Sequence, residues 1–139
     1  MKLSFQPFLA AAVAATAVLG SAPSSAQAAI PAPWVGAWYA KPLTGGIADL
    51  VIRRSGGGPL LSVDGQCEPT ACAWGTVSLS YSPDGMEANA IYRTSFAIRQ
   101  LQLTLSPNGE ELTVVDLTHF TDGSGRPDYT HTDTLFPIR

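Results

Sequence analysis

The sequence predicts an all-β fold: a small antiparallel up-and-down barrel of seven or eight strands, with a β-sandwich as the alternative. Three observations carry this expectation. Apolar and polar residues alternate with a period of two through several runs, the signature of strands with one buried face. Turn clusters recur along the chain, at 55–59 (SGGGP), 83–85 (PDG), 106–111 (SPNGEE) and 121–128 (TDGSGRPD), and 13 glycines with 11 prolines fit such a turn-rich chain. No helical spacing occurs beyond residue 28. Strands joined by short turns favour a meander, and closing the meander removes its exposed edges.

The strands follow in order. Residues 34–40 (WVGAWYA) are short and aromatic, and 47–54 (IADLVIRR) are rich in β-branched and leucine side chains. After the glycine cluster, 60–64 (LLSVD) form a further short strand. Residues 73–82 alternate, with Val77, Leu79 and Tyr81 on one face and Thr76, Ser78 and Ser80 on the other. Residues 88–98 place Tyr92, Thr94, Phe96 and Ile98 on one face. At Arg99-Gln100 the phase slips, so that Leu101, Leu103 and Leu105 become the apolar set. A slip without a break implies a bulge or a change of strand. Asn108-Gly109 suits a tight hairpin turn. Residues 112–120 (LTVVDLTHF) and 129–139 (YTHTDTLFPIR) complete the set.

The first 28 residues read differently. Lys2 precedes an apolar run from Phe8 to Gly20, then a Pro/Ser-rich stretch ending in Ala26-Gln27-Ala28. A positive start, an apolar stretch and an A-x-A site describe a signal peptide cut after Ala28. The run is shorter than the ~20 residues that span a bilayer. Residues 29–139 are then one secreted β domain, in a secreted or periplasmic location. The chain carries a formal charge of −3, and losing Lys2 makes it one unit more negative. Neither nucleic acid nor an anionic membrane suits such a partner, because both need a basic surface.

An exported chain meets an oxidising space, where Cys67 and Cys72 are expected to pair as a disulfide. A zinc site wants about four ligands, and only His119 and His131 are left to join the two cysteines. The closed loop is short, so on a chain-entropy estimate the bond adds about 2 kcal/mol. It shapes a loop more than it holds a fold, and Pro69 stiffens that loop further.

Trp34, Trp38, Trp74 and Tyr39 are the candidate ligand-binding residues, with Trp34 and Trp74 expected at a barrel mouth, where rings stack on sugars or apolar ligands. His131 and Asp133 share a strand face, and His119 would approach His131 if the last two strands pair. Such a cluster would suit a metal or acid–base work; polar alternation on an exposed strand face accounts for the same residues. Asp122, Ser124 and Asp128 offer oxygen ligands for calcium but lack the further acid of a calcium loop. No cofactor is implied.

Residues 36–52 (GAWYAKPLTGGIADLVI), with Gly36-x-Trp38, resemble the opening of calycin-type barrels, the lipocalins and avidins. There the tryptophan of this motif stands on the first strand and plugs one barrel end, which implies that role for Trp38. The ending HTDTLFPIR is similar to the last strand of avidins. The biotin-contacting tryptophans of avidins have no counterpart here, so no biotin site is implied, and the later arginine region of lipocalins is missing. Gly36-x-Trp38, then C-x-P-T-x-C-x-W-G over 67–75, then DGSGRPDY over 122–129 also resemble a group of small secreted bacterial domains. That resemblance implies a secreted bacterial β domain and no particular chemistry.

The expected function is binding without catalysis, of a small molecule or glycan at a barrel mouth. One alternative is a protein-binding inhibitor or adhesion module that presents the Cys67–Cys72 loop. The other is a hydrolase built on His119, His131 and Asp133.

Overall fold

The computed structural model describes residues 31–139; the expected signal peptide, 1–28, lies outside them. Nine antiparallel strands form one sheet: β1 (Gly36–Ala40), β2 (Ile47–Arg53), β3 (Leu60–Gly65), β4 (Cys72–Ser78), β5 (Ser80–Tyr81), β6 (Glu87–Arg93), β7 (Ala97–Leu105), β8 (Leu112–Phe120) and β9 (Tyr129–Pro137). Their order is β4-β3-β2-β1-β9-β8-β7-β6-β5. β4 and β5, the two ends of that list, are parted in the chain only by Leu79. One bent stretch therefore pairs with β3 through β4 and with β6 through β5, and the sheet curls into a nearly closed barrel. Where β4 and β6 lack a ladder, the Tyr92 hydroxyl spans the seam, 3.0 Å from the Leu61 carbonyl and 3.1 Å from that of Gly75.

Nine strands replace the expected seven or eight because two long runs break. The run 73–82 divides at Leu79, whose N–H leaves the ladder to bond the Pro59 carbonyl at 3.0 Å. The run 88–98 divides at Thr94–Phe96, a turn in which the Thr94 N–H bonds the Ala97 carbonyl at 2.9 Å and the Thr94 hydroxyl receives the Ala97 N–H at 3.0 Å. The slip of phase is thus a change of strand, placed five residues before Arg99. It leaves Phe96 exposed, whereas Tyr92 and Ala97 point inward.

Period-two burial fills the barrel. Ala88, Ala90 and Tyr92 of β6, Leu101, Leu103 and Leu105 of β7, and Leu112 and Val114 of β8 are buried together with Leu50, Ile52, Leu61, Val63 and Leu135. One end is closed by the 3-10 turn Ala32–Trp34, which folds the chain across it. Trp34 is fully buried there, its indole N–H donates to the Gly85 carbonyl at 2.8 Å, and its ring meets Tyr81 edge-on at 5.0 Å. The Trp38 indole N–H donates to the Trp34 carbonyl at 3.1 Å. Pro31 and Pro33 rest on two matching hairpin turns, Ser82-Pro-Asp-Gly and Ser106-Pro-Asn-Gly, at Gly85 and Gly109. In each turn the serine hydroxyl accepts the N–H of the residue five positions on, Glu87 or Glu111. No helix among the described residues is long and apolar enough to cross a membrane.

On β2 and β3, Asp49 stands opposite Asp64. Burial, then the Asp64 charge, then the hydrogen bond between the two side chains raise the Asp49 pKa above 3.8. Between 3.8 and that raised value the folded chain binds more protons than the unfolded one, so stability falls as pH rises through this window. Asp49→Asn should therefore stabilise the domain at pH 7 by about a few tenths of a kcal/mol, small because the site is largely solvated. The gain should shrink as pH falls toward 3.8. Urea unfolding at both ends of that range checks this; an equal gain at both would contradict it.

Candidate functional site

At the open end the inward rows continue, but their chemistry changes. Arg99 lies two residues before Leu101 on β7, Asp116 two after Val114 on β8, and Asp133 two before Leu135 on β9. Side chains two apart on a strand share a face, so the rows that carry leucine and valine through the core deliver an arginine and two carboxylates to the mouth. Arg99 Nη1 donates to Asp116 Oδ2 at 2.7 Å and to the Tyr129 hydroxyl at 3.2 Å. The other Asp116 oxygen receives the Thr118 hydroxyl at 2.9 Å. The Arg99 guanidinium lies over the Trp74 ring, 4.4 Å from its centroid, a cation–π contact.

Trp74 reaches the interior through a bulge. The β3–β4 register shifts between Val63 and Asp64, and Gly75, opposite Val63, takes a φ of +92°. Glycine accepts that conformation without steric cost. The extra residue turns Trp74 inward alongside Val77, where strict alternation would have sent it out with Thr76. Its ring packs edge-on to Tyr92 at 5.9 Å.

Two loops finish the mouth. Residues 41–46 cross from β1 to β2, and residues 66–71 cross from β3 to β4, where the disulfide joins Cys67 of the loop to Cys72 at the start of β4, with Cα atoms 5.6 Å apart. Gln66 ties the loops together: its side chain accepts the Gly45 N–H at 2.7 Å and donates to the Ile47 carbonyl at 2.8 Å. Asp133 is the second tie. It accepts the Ile47 N–H at 2.9 Å and the Thr44 hydroxyl at 3.1 Å. His131 Nε2 stands 3.1 Å from the Thr44 hydroxyl oxygen and 3.3 Å from Asp133. Between the loops lies a cavity of about 250 Å³, lined by Trp74, Arg99, Asp116, Tyr129, His131 and Gln66 among others.

The residues singled out from the sequence are dispersed. Cys67 and Cys72 are bonded and line the cavity. Trp74 lines it too, while Trp34 lies at the opposite, closed end and is buried with Trp38. The 3-10 turn carries Trp34 away from the mouth, and neither buried ring has a face to offer a ligand. Tyr39 points outward beside Phe136. His131 and Asp133 meet at the mouth, but His119 faces out from β8 and contacts Asp128 at 2.7 Å. It lines a separate shallow depression on the outer wall, so the two histidines do not converge. Asp133 is 2 % exposed, not the solvated strand face that its polar neighbours suggest. Asp122 accepts the Ser124 N–H and the Arg126 guanidinium, and the Ser124 side chain, its N–H and Arg126 hold its pKa at about 2. Arg126 also covers Phe120 at 3.9 Å. Asp122 and Asp128 therefore already have partners, and among the described residues no three His, Cys, Asp or Glu side chains gather as a metal site.

Arg99 and Asp116 escaped the sequence reading. Their signal was the phase of the leucine rows, extended by one position into polar residues. Comparison of the chain with protein-family models, with curated proteins and with solved structures found no match.

Gly46 lets the 41–46 loop lie against β9: a Cβ there would sit 2.3 Å from both Asp133 Oδ2 and His131 Cδ2. Gly46→Ala should cost about 1–3 kcal/mol through forced displacement of these side chains. Gly57→Ala, where a Cβ meets nothing within 4 Å, should change stability by less than about 0.5 kcal/mol. Denaturant unfolding of both variants measures the contrast.

Proposed function

We propose that the protein is a secreted, non-catalytic binding domain that takes a small polar ligand into the open mouth of its barrel. The observation that supports this most is the one-sided chemistry of the interior. Its closed end and middle are packed with aromatic and aliphatic side chains, whereas its open end carries Arg99, Asp116 and His131 around a cavity, with Asp133 buried behind His131. An interior serving stability alone gains little from a buried ion pair, since apolar residues of similar volume usually do as well or better. The consecutive strand order agrees with the barrel that the calycin-type resemblance implies, and an oxidising location agrees with the disulfide beside the cavity.

Size and polarity narrow the reading. The cavity, at about 250 Å³, lies below the roughly 300–1,000 Å³ of sites for drug-sized ligands. The middle of the barrel is filled by buried aliphatic and aromatic side chains, which disfavours a lipid-like molecule. The hydrolase alternative needs His119, His131 and Asp133 together, whereas His119 faces the outer wall against Asp128.

Trp74 is the only one of the three tryptophans at the mouth, and this gives a direct test. A small-molecule screen by thermal shift, followed by tryptophan fluorescence, should yield ligands whose signal vanishes in Trp74→Phe while Trp34 and Trp38 continue to report folding. Ligands that bind equally well to Trp74→Phe and protect only the outer wall would contradict the proposal.

A further inference from the structure

Resting on that reading of the mouth, we infer that its ligand is a neutral polyol of monosaccharide size, held through adjacent hydroxyl groups, and not a carboxylate or an amine. The inference comes from the hydrogen-bonding capacity that the fold leaves open. Arginine has five N–H donors in a fixed plane. Among the described residues, both side-chain hydrogen bonds of Arg99 go through Nη1. Its Nε and Nη2 atoms form the side-on edge with two parallel N–H groups, suited to a pair of oxygens on neighbouring atoms. Among the described residues that edge has no hydrogen-bond partner, although the Arg99 side chain is only 18 % exposed. The ring of Trp74 beneath and Asp116 beside it fix the guanidinium plane before any ligand arrives.

A carboxylate and a vicinal diol both present such an oxygen pair. Two features of the mouth decide between them. The first is charge: Arg99 is already matched by Asp116, and Asp133 adds a second negative group that is almost wholly buried. An incoming carboxylate would add an anion beside a cation that Asp116 already matches. The second is the polarity of the acceptors. Asp133 receives the Thr44 hydroxyl proton and the Ile47 N–H, so the close approach of His131 Nε2 to Thr44 and Asp133 requires the proton on Nε2. In the neutral tautomer with its proton on Nε2, the ring has Nδ1 as an acceptor in a residue that lines the cavity. A hydroxyl both donates and accepts, and suits a donor edge with a neighbouring acceptor. A carboxylate can only accept and leaves the histidine unserved, while an ammonium can only donate and leaves the arginine edge unserved. The Tyr129 hydroxyl, which accepts from Arg99 and keeps its own proton free to donate, adds one more position of the same kind.

The test uses glucose and galactose as neutral probes, and glucuronate and galacturonate as their acidic counterparts. Binding is read from the ¹H–¹⁵N shift of the Trp74 indole in NMR titrations. At least one neutral probe should bind in the millimolar range or tighter, with its uronate about tenfold weaker. Arg99→Lys keeps a cation for Asp116 but removes the paired N–H edge, and should weaken the neutral probe about tenfold or more with the melting temperature little changed. A uronate that binds as tightly as its hexose, or a hexose affinity unaltered in folded Arg99→Lys, would overturn the polyol inference. So would failure of every neutral probe to shift Trp74. In those cases the mouth remains the binding site if the fluorescence screen finds other ligands that depend on Trp74, and the two readings fail separately. Should Arg99→Lys not fold, the hexose–uronate comparison on the unaltered protein decides alone.

Discussion

The ion pair between Arg99 and Asp116 is the interaction on which the organisation of the open end depends. Asp116 is 4 % exposed and Arg99 18 %, so each has lost most of its water. Removing one partner of such a pair leaves an uncompensated charge and typically costs about 3–5 kcal/mol. The pair is held from three sides: Trp74 lies under the guanidinium, Tyr129 accepts from it, and Thr118 occupies the second carboxylate oxygen. On β7 and β8 the leucine and valine rows give way to these two residues.

The two ends of the barrel solve the same geometric problem differently. A barrel end exposes strand termini and the ends of the apolar rows. At the closed end the chain itself supplies the cover, with Trp34 lying across the interior and two matching serine turns receiving Pro31 and Pro33. At the open end Trp74 instead packs against Tyr92 and under Arg99. Gln66 and Asp133 draw the loops 41–46 and 66–71 together at the rim, the disulfide shortens the second of them, and a cavity stays between. Asp133 links rim to wall directly, since the same carboxylate holds Ile47 at the start of β2 and Thr44 in the loop.

Much of this fold was legible in the sequence because alternation and turn chemistry are local. The hairpins at Asp84-Gly85 and Asn108-Gly109, the disulfide loop, and the shared face of His131 and Asp133 all follow from short-range rules. What misled were residues whose direction is set by irregularity. The turn at 94–96 moves Phe96 and Ile98 off the face of Tyr92. Trp34 looked like a mouth residue because its placement depends on a 3-10 turn packed against loops more than fifty positions away. Arg99 and Asp116 carried the right phase, but a charged residue in an apolar row reads as an exposed one until the partner strand is known, and the ladder of β7 with β8 supplies that knowledge.

If the mouth is charged in order to bind, and not to keep the barrel folded, the Arg99–Asp116 pair is dispensable for stability. Unfolding free energies of Arg99→Met, Asp116→Leu and the double variant test it most directly. On this account each single change costs about 3–5 kcal/mol, and the double variant returns to within about 1 kcal/mol of the parent or exceeds it, since a well-packed apolar pair replaces the ions. A double variant as unstable as either single one would show that the pair is needed to hold the barrel together, and would contradict the account.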